Sequence, residues 1–194
     1  ASDVYKRQVI KNITRGAQIK ASVLDEIVSD KPTNMQYLML ANLQDGIISD
    51  ELPYLKGIDS KYEKYCIKNG SLVISKNASP VKMAIASVQE GNKILANGNL
   101  YVIELDEDKI NPYFLKAYLE SENGKAALSR VAVGATLLNL PVEGLKKVII
   151  PLPDLESQKK IADQYYAKLS EIKELKYKLE KATEELEHIY TEEK

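Results

Sequence analysis

From Leu155 to Lys194 no Gly or Pro interrupts the chain, and apolar positions return every seven residues. One row is Tyr165, Ile172, Leu179 and Leu186. The other, offset by three, is Ile161, Lys168, Leu175, Ala182 and Ile189. Two such rows make an a/d seam over about four heptads with one polar interruption at Lys168, which predicts a coiled-coil helix. Pro151-Leu152-Pro153 ends whatever precedes it, because closely spaced prolines cannot sit inside a helix. Asp154 is then a suitable N-cap. A helix from Leu155 to Tyr190 would run roughly 54 Å at ~1.5 Å per residue, longer than a domain of this size is wide. Part of it is therefore expected to project and to need a partner.

Upstream the pattern changes. Val9–Ile13 alternates as a short strand, and Ala21–Val28 has helical spacing. Tyr37–Leu43 reads as a mostly buried strand closed by the Asp45-Gly46 turn, with a possible return at Ile47-Ile48. Ser60–Ile67 reads as a helical turn or short helix. Short strands follow at Ser71–Ser75, Val81–Val88, Lys93–Ala96 and Leu100–Leu105, punctuated by Asn69-Gly70, Gly91-Asn92 and Asn97-Gly98 as hairpins. Asn111-Pro112 opens a helix, since Asn caps well and Pro suits the first helical position. Gly124 divides that helix and Gly134 ends it; Lys147–Ile150 reads as a last strand. Strands followed by helices give an α+β fold, a mixed domain of short strands and helices with one long C-terminal coiled-coil helix. The expected division is a domain at 9–153 and a spacer helix at 154–194. Residues 1–8 show no periodicity, look like translated cloning adapter, and are set aside as non-native or disordered.

The 194 residues are 44% hydrophobic, enough to bury a core, and no apolar run is long enough to span a membrane. The single cysteine, Cys66, excludes an internal disulfide and fits a reducing, cytoplasmic setting. With His188 as the single histidine, zinc sites and His-based catalysis are not expected. The net charge of −1 argues against indiscriminate nucleic-acid binding, but its distribution is uneven. Residues 1–153 carry 19 Lys+Arg against 17 Asp+Glu, and residues 154–194 carry 8 against 11. Lys6–Lys20 contains no acid, and Lys56–Lys82 holds six lysines against Asp59 and Glu63.

Catalytic motifs are superficial. Asn111-Pro112-Tyr113-Phe114 looks like the Asn/Asp-Pro-Pro-Tyr/Phe motif of adenine aminomethyltransferases, but the second proline is missing and a helix cap explains the same residues. Glu107-Asp108-Lys109 reads as a solvated turn, and no phosphate-cradling loop is present. What remains is binding. Arg and Lys donate to phosphate or guanine, and Asn and Gln pair bidentately with adenine. The candidates are Arg15, Gln18 and Lys20; Ser75, Lys76, Asn77, Ser79 and Lys82; Asn97 and Asn99; and Thr136 and Asn139.

The order of several motifs resembles the DNA specificity (S) subunit of type I restriction-modification systems. Gly134-Ala135-Thr136 through Leu140, then Leu145, then Val148-Ile149-Ile150-Pro151-Leu152-Pro153, then Gln158 and Ile161, is similar to that family's Gly-x-Thr loop, Ile-Pro-Leu-Pro strand end and Glu-x-Gln-x-x-Ile helix start. Glu156 stands one residue further from Gln158 than a directly adjacent pair would. Asn69-Gly70-Ser71-Leu72-Val73-Ile74-Ser75-Lys76-Asn77 is similar to its Gly-Asp-hydrophobic-hydrophobic-Ser-Arg/Lys segment, with Ser71 in place of Asp. The resemblance spans roughly residues 9–192.

It implies a non-catalytic target recognition domain that reads one half of a bipartite site on double-stranded DNA. It also implies a spacer helix whose seam (Ile161, Tyr165, Ile172, Leu175, Leu179, Ala182, Leu186 and Ile189) pairs with a second specificity unit or a second copy. Methylation (M) subunits, and possibly a restriction (R) subunit, would dock on it. S-adenosylmethionine, ATP and Mg would belong to those partners, with no cofactor or metal here. Two other readings stay open: the C-terminal specificity domain of a fused N6-adenine DNA methyltransferase, and a coiled-coil adaptor that binds protein without DNA.

Overall fold

A computed structural model describes residues 9–77 and 79–190. The expectation for residues 1–8, the last residues of the spacer helix at 191–194, and Ala78 lie outside the described residues. The chain forms a mixed α+β domain and one long helix. Its strands are β1 (Ile10–Arg15), β2 (Val28–Ser29), β3 (Met35–Leu38), β4 (Leu43–Gln44), β5 (Ile47–Ile48), β6 (Tyr54–Leu55), β7 (Leu72–Ser75), β8 (Met83–Ile85), β9 (Lys93–Ala96) and β10 (Leu100–Leu105). Its helices are α1 (Ala21–Ile27), α2 (Pro112–Glu120), α3 (Glu122–Val131), α4 (Val142–Leu145) and α5 (Leu155–His188).

Two four-stranded sheets carry the domain, in the orders β1-β10-β7-β8 and β2-β6-β3-β9, beside a small β4-β5 hairpin. The first sheet is antiparallel throughout. In the second, β3 and β9 run parallel. Every residue of β7 is buried because the strand has a core on each face. Alternation sorts its side chains. Leu72 and Ile74 join Ile103, Phe114, Leu115 and Ala162 under α2, α3 and α5. Val73 joins Val102, Leu38 and Ala96 between the sheets. On the far face of the second sheet, Tyr37, Leu55 and Leu95 pack with Leu24 and Ile27 of α1.

The helices form where the capping residues dictate. Asn111 Oδ1 accepts from the amides of Tyr113 and Phe114, with Pro112 at the first position, so the methyltransferase-like tetrapeptide is a helix cap. Ser121, not Gly124, divides α2 from α3: its hydroxyl accepts from Gly124 N–H. Gly124 instead permits contact, since a Cβ there would lie 2.0 Å from the Tyr118 carbonyl oxygen. At the β4-β5 turn Asp45 (φ 51°) and Gly46 (φ 75°) both take left-handed backbone, the conformation that a two-residue hairpin needs.

Several expectations are corrected. Tyr37–Leu43 is not one strand: β3 ends at Leu38, and a 3-10 turn at Leu40–Asn42 intervenes before β4. The helical turn expected over Ser60–Ile67, by contrast, is present as a 3-10 helix over Ser60–Tyr65. The last helix before the loop ends at Val131 rather than at Gly134. Lys147–Ile150 forms no strand: Lys147 completes the turn after α4, with its N–H on Gly144 O at 2.9 Å, and Ile149 makes a lone bridge. Val148 and Ile150 are buried, and the Ile149 carbonyl accepts from the Tyr118 hydroxyl at 3.2 Å. Asn97-Gly98 does not turn a hairpin, because β9 and β10 belong to different sheets.

The long helix begins at Asp154, whose carboxylate accepts from Ser157 N–H at 2.9 Å and lies below the usual carboxylate range for that reason. Its first half lies against the domain through Gln158, Ala162, Tyr165, Leu169, Lys173 and Lys176. Lys173 pairs with Asp50 at 2.9 Å and Lys176 with Asp45 at 2.7 Å. From Tyr177 to Tyr190 every residue is exposed. Of the expected seam, Tyr165 faces inward instead, its hydroxyl bonded to Lys116 and Glu120. Ile161, Ile172, Leu175, Leu179, Leu186 and Ile189 are exposed, as is Ala182.

Candidate nucleic-acid interface

The candidate binding residues converge on one end of the first sheet. Arg15 closes β1 opposite Tyr101 near the start of β10. Leu100, the first residue of β10, sits opposite Ser75, the last of β7. Ser75 N–H in turn donates to the carbonyl of Lys82 at 2.8 Å, just before β8. Across four strands, Arg15, Leu100, Ser75 and Lys82 thus form one row, with the connecting turns standing beyond it.

Backbone bonds knit those turns together. Ala17 N–H donates to Ala96 O at 2.8 Å and Gly16 N–H to Leu100 O at 2.9 Å. Gly16 allows this approach: a Cβ there would stand 2.0 Å from Asn97 O. Lys76 N–H donates to Asn99 O at 2.9 Å, and Lys76 O accepts from Leu140 N–H at 2.8 Å. Asn77 bridges to Asn139, which bridges to Val133. Segment 15–18, turn 97–99, segment 75–82 and loop 133–140 therefore form one surface, although they are far apart in sequence.

The side chains divide into two groups. Ser75 is fully buried; its hydroxyl donates to Asn77 O at 2.8 Å and accepts from Lys82 N–H at 2.9 Å. Asn97 donates to the Tyr37 hydroxyl at 2.6 Å and accepts from Asn99 N–H at 2.9 Å. Ser75, fully buried, is placed to build the surface, whereas half-exposed Asn97 keeps its second amide N–H free beside it. Asn139 donates to Leu137 O at 3.1 Å, within its own loop. Gln18, Asn99, Ser79 and Thr136 are exposed, while Lys76, Lys82 and Asn77 keep partly buried stems. Arg15 donates to Gly98 O at 2.8 Å, and Gln18, with its carbonyl turned to the guanidinium, accepts at 2.6 Å. That holds the Arg15 side chain in one orientation on the turn. Lys20 stands exposed at the N-cap of α1.

The charge around this surface is one-sided. Residues 15–24, 64–89, 91–103 and 123–142, which contribute all its turns, contain no Asp or Glu. Among the described residues, Lys20, Lys76 and Lys82 have no ion-pair partner, whereas Lys68 and Lys93 of the same segments are paired with Glu104 and Glu63. Cations kept apart from acids are available to an outside anion. Burial pushes the Tyr101 hydroxyl up against the opposing pull of Arg15, so the ring stays neutral at the foot of the site. Among the described residues, no cluster of His, Cys, Asp and Glu is placed to hold a metal, and no helix is long and apolar enough to cross a membrane.

A polyanion fits this geometry, and the comparisons with known proteins agree. The family model for the type I restriction modification DNA specificity domain matches residues 25–185. The chain belongs to that family. Among solved structures, this specificity domain is similar to a chain from a study of complex assembly and conformational transition in the type I R-M system. The TM-score is 0.62 at 19% identity, over 96% of this chain and 42% of that one. It is also similar to the HsdS subunit from Thermoanaerobacter tengcongensis, with a TM-score of 0.52 at 18% identity, over 87% of this chain and 37% of that one. Both likenesses concern the fold, and the specificity domain spans less than half the length of either chain. No curated protein sequence matches it.

Two features of the site are not apparent from residue types alone. Val133, Leu137 and Leu138 are exposed on loop 133–140, where the Gly-x-Thr resemblance drew attention to Thr136. The docking of α5 depends on Gln158, whose side chain is fully buried. Its amide donates to Lys109 O at 3.1 Å and Pro153 O at 2.9 Å, and its oxygen accepts from Asn111 N–H at 2.9 Å. The Glu-x-Gln-x-x-Ile likeness pointed to this residue without giving its role.

Proposed function

We propose that this specificity domain is a sequence-specific reader of duplex DNA that directs an adenine methyltransferase, and with it a restriction subunit, to one half of a bipartite site. The observation that carries the reading is the acid-free surface at the end of the first sheet. There, among the described residues, Lys76, Lys82 and Lys20 have no ion-pair partner, and Gln18, Asn99 and Asn77 are exposed or half-exposed amides beside them. The cations meet phosphates and set the register; the amides read base edges. The chain's own task is binding: no bond is made or broken on it, and S-adenosylmethionine, ATP and Mg act in the partner subunits. Its place is the cytoplasm, with the DNA.

α5 is the spacer and docking strut. Ile161, Ile172, Leu175, Leu179, Leu186 and Ile189 pair with the corresponding helix of a second specificity unit or of a second copy, and the M subunits bind the resulting core. The pairing explains why a helix carries so many exposed apolar residues.

The test is selection of duplexes from a random-sequence pool by the full chain, followed by titration at two salt concentrations. Enrichment of a common sequence, with affinity falling as salt rises, is the expected result. A chain that retards no duplex at low salt is an adaptor, and the proposal fails.

A further inference from the structure

Among the described residues, loop 133–140 presents the most exposed large apolar side chains of this surface. Val133 is 56% exposed, Leu137 62% and Leu138 40%. The loop is tightly built. Val133 and Asn139 exchange backbone bonds at 2.9 and 2.8 Å, closing it as a small ring. Gly134 sits at φ 125°, and a Cβ there would meet Leu137 O at 2.2 Å. Leu140 N–H ties the ring's base to Lys76 O, and Asn139 bridges to Asn77. Its leucines are held outward by backbone geometry, next to Lys76, which has no ion-pair partner among the described residues, in a stretch from Asn123 to Val142 without an acid.

We propose that this loop is an apolar finger that enters a DNA groove, with Leu137 and Val133 packing against base edges while Lys76 at its base holds the phosphate backbone. This deepens the DNA reading and rests on it. Continuity with the cationic surface names the occupant: the exposed leucines and Lys76 share one hydrogen-bonded unit, so whatever covers the finger also meets the lysine. Apolar side chains distinguish thymine by its methyl group and can prise apart a base step, neither of which a lysine can do. The finger therefore contributes to sequence discrimination more than to general affinity.

The test uses the full chain, duplexes that the wild type recovers from a random-sequence pool, and a scrambled duplex of equal length. Leu137→Ser is expected to lower affinity for the recovered duplexes about tenfold, the scale of one mismatched base pair. Affinity for the scrambled duplex and the salt dependence should stay as they were. Val133→Ser gives a second reading should the first variant fold poorly. Leu137→Lys separates the finger from a merely electrostatic surface: it is expected to gain on the scrambled duplex and lose on the recovered ones. Undiminished affinity of Leu137→Ser and Val133→Ser for the recovered duplexes, or a gain by Leu137→Lys on both kinds, overturns the finger and leaves the DNA reading intact. Failure of the wild type to recover any duplex overturns both.

Discussion

Gln158, on the first turn of α5, accepts the backbone N–H of Asn111 at 2.9 Å, and Asn111 is the residue that caps α2. One buried side-chain amide thus joins the starts of the two helices, and its own N–H groups satisfy the carbonyls of Lys109 and Pro153. Gln158→Leu fills similar space but strands one donor and two acceptors. At about 1–3 kcal/mol per buried unsatisfied group, partly relieved by relaxation, the variant is expected to lose about 3 kcal/mol of stability in urea denaturation. Gln158→Asn is one methylene too short and should recover little of it.

The second tie between α2 and α5 is ionic. Lys116 is fully buried, 2.7 Å from Glu120 and 2.6 Å from the Tyr165 hydroxyl, with its ammonium 4.9 Å from the Tyr165 ring. Burial pulls the Lys116 ammonium below its ordinary value, and the Glu120 carboxylate opposes that pull. Burial, then Glu120, push the Tyr165 hydroxyl well up. Glu120→Ala leaves an ammonium without its counter-charge and is expected to cost about 3 kcal/mol. Lys116→Met combined with Glu120→Gln removes both charges and should restore most of that. The double variant being no more stable than Glu120→Ala would refute the account.

The extent to which this architecture is legible in the sequence follows from the range of the forces involved. β9 and β10 were expected at their observed bounds, since alternating apolar residues and turn-forming Asn and Gly are local features. Their partners were not expected: β9 runs parallel to β3, a contact made across many intervening residues. Asp154 and Asn111 cap where expected because a cap acts within three residues. Tyr165 was misplaced because a heptad count finds apolar rows but does not say which row faces the domain, and Lys116 and Glu120 draw its hydroxyl inward. Ser75 has a residue type suited to DNA, yet it is fully buried and its hydroxyl is engaged by Asn77 and Lys82. The convergence of four acid-free segments depends on strand order, which residue types do not disclose.

Lys76 tests the phosphate part of the interface. It has no ion-pair partner among the described residues, and its backbone joins turn 97–99 to loop 133–140. Lys76→Ala keeps those backbone bonds. It is expected to weaken binding to all duplexes alike and to reduce the slope of log affinity against log salt by about 0.9. A variant that changes the preferred sequence while keeping the slope would make Lys76 a base reader instead.

Glu104, on the interior strand β10, supplies a pH test of the first sheet. Its hydrogen bond from Lys68, at 2.7 Å, holds the carboxyl below its ordinary value, with help from Asn12 at 3.3 Å. The stabilisation is therefore fully present above the unfolded value of about 4.3 and is lost as pH falls through the lower folded value. Lys68→Ala should be less stable than wild type at pH 7 by about 0.5 kcal/mol, as for other surface pairs. Thermal melts on a descending pH series should show the gap closing once the carboxyl is protonated in both states.

The exposed row on α5 predicts association. Leu179 and Leu186 are 68% and 69% exposed, and both lie beyond Lys176, which pairs with Asp45 of the domain. They give the domain no packing energy, so Leu179→Glu with Leu186→Glu should leave its thermal midpoint unchanged. The same two charges would face each other across a paired seam, where a buried like-charge contact is strongly unfavourable. Sedimentation at rising concentration should show self-association of the wild type and none of the double variant. A wild type that stays single at every concentration would exclude a second copy as the partner of this seam and leave a different specificity unit to fill it. Equal self-association by both proteins would place the contact elsewhere.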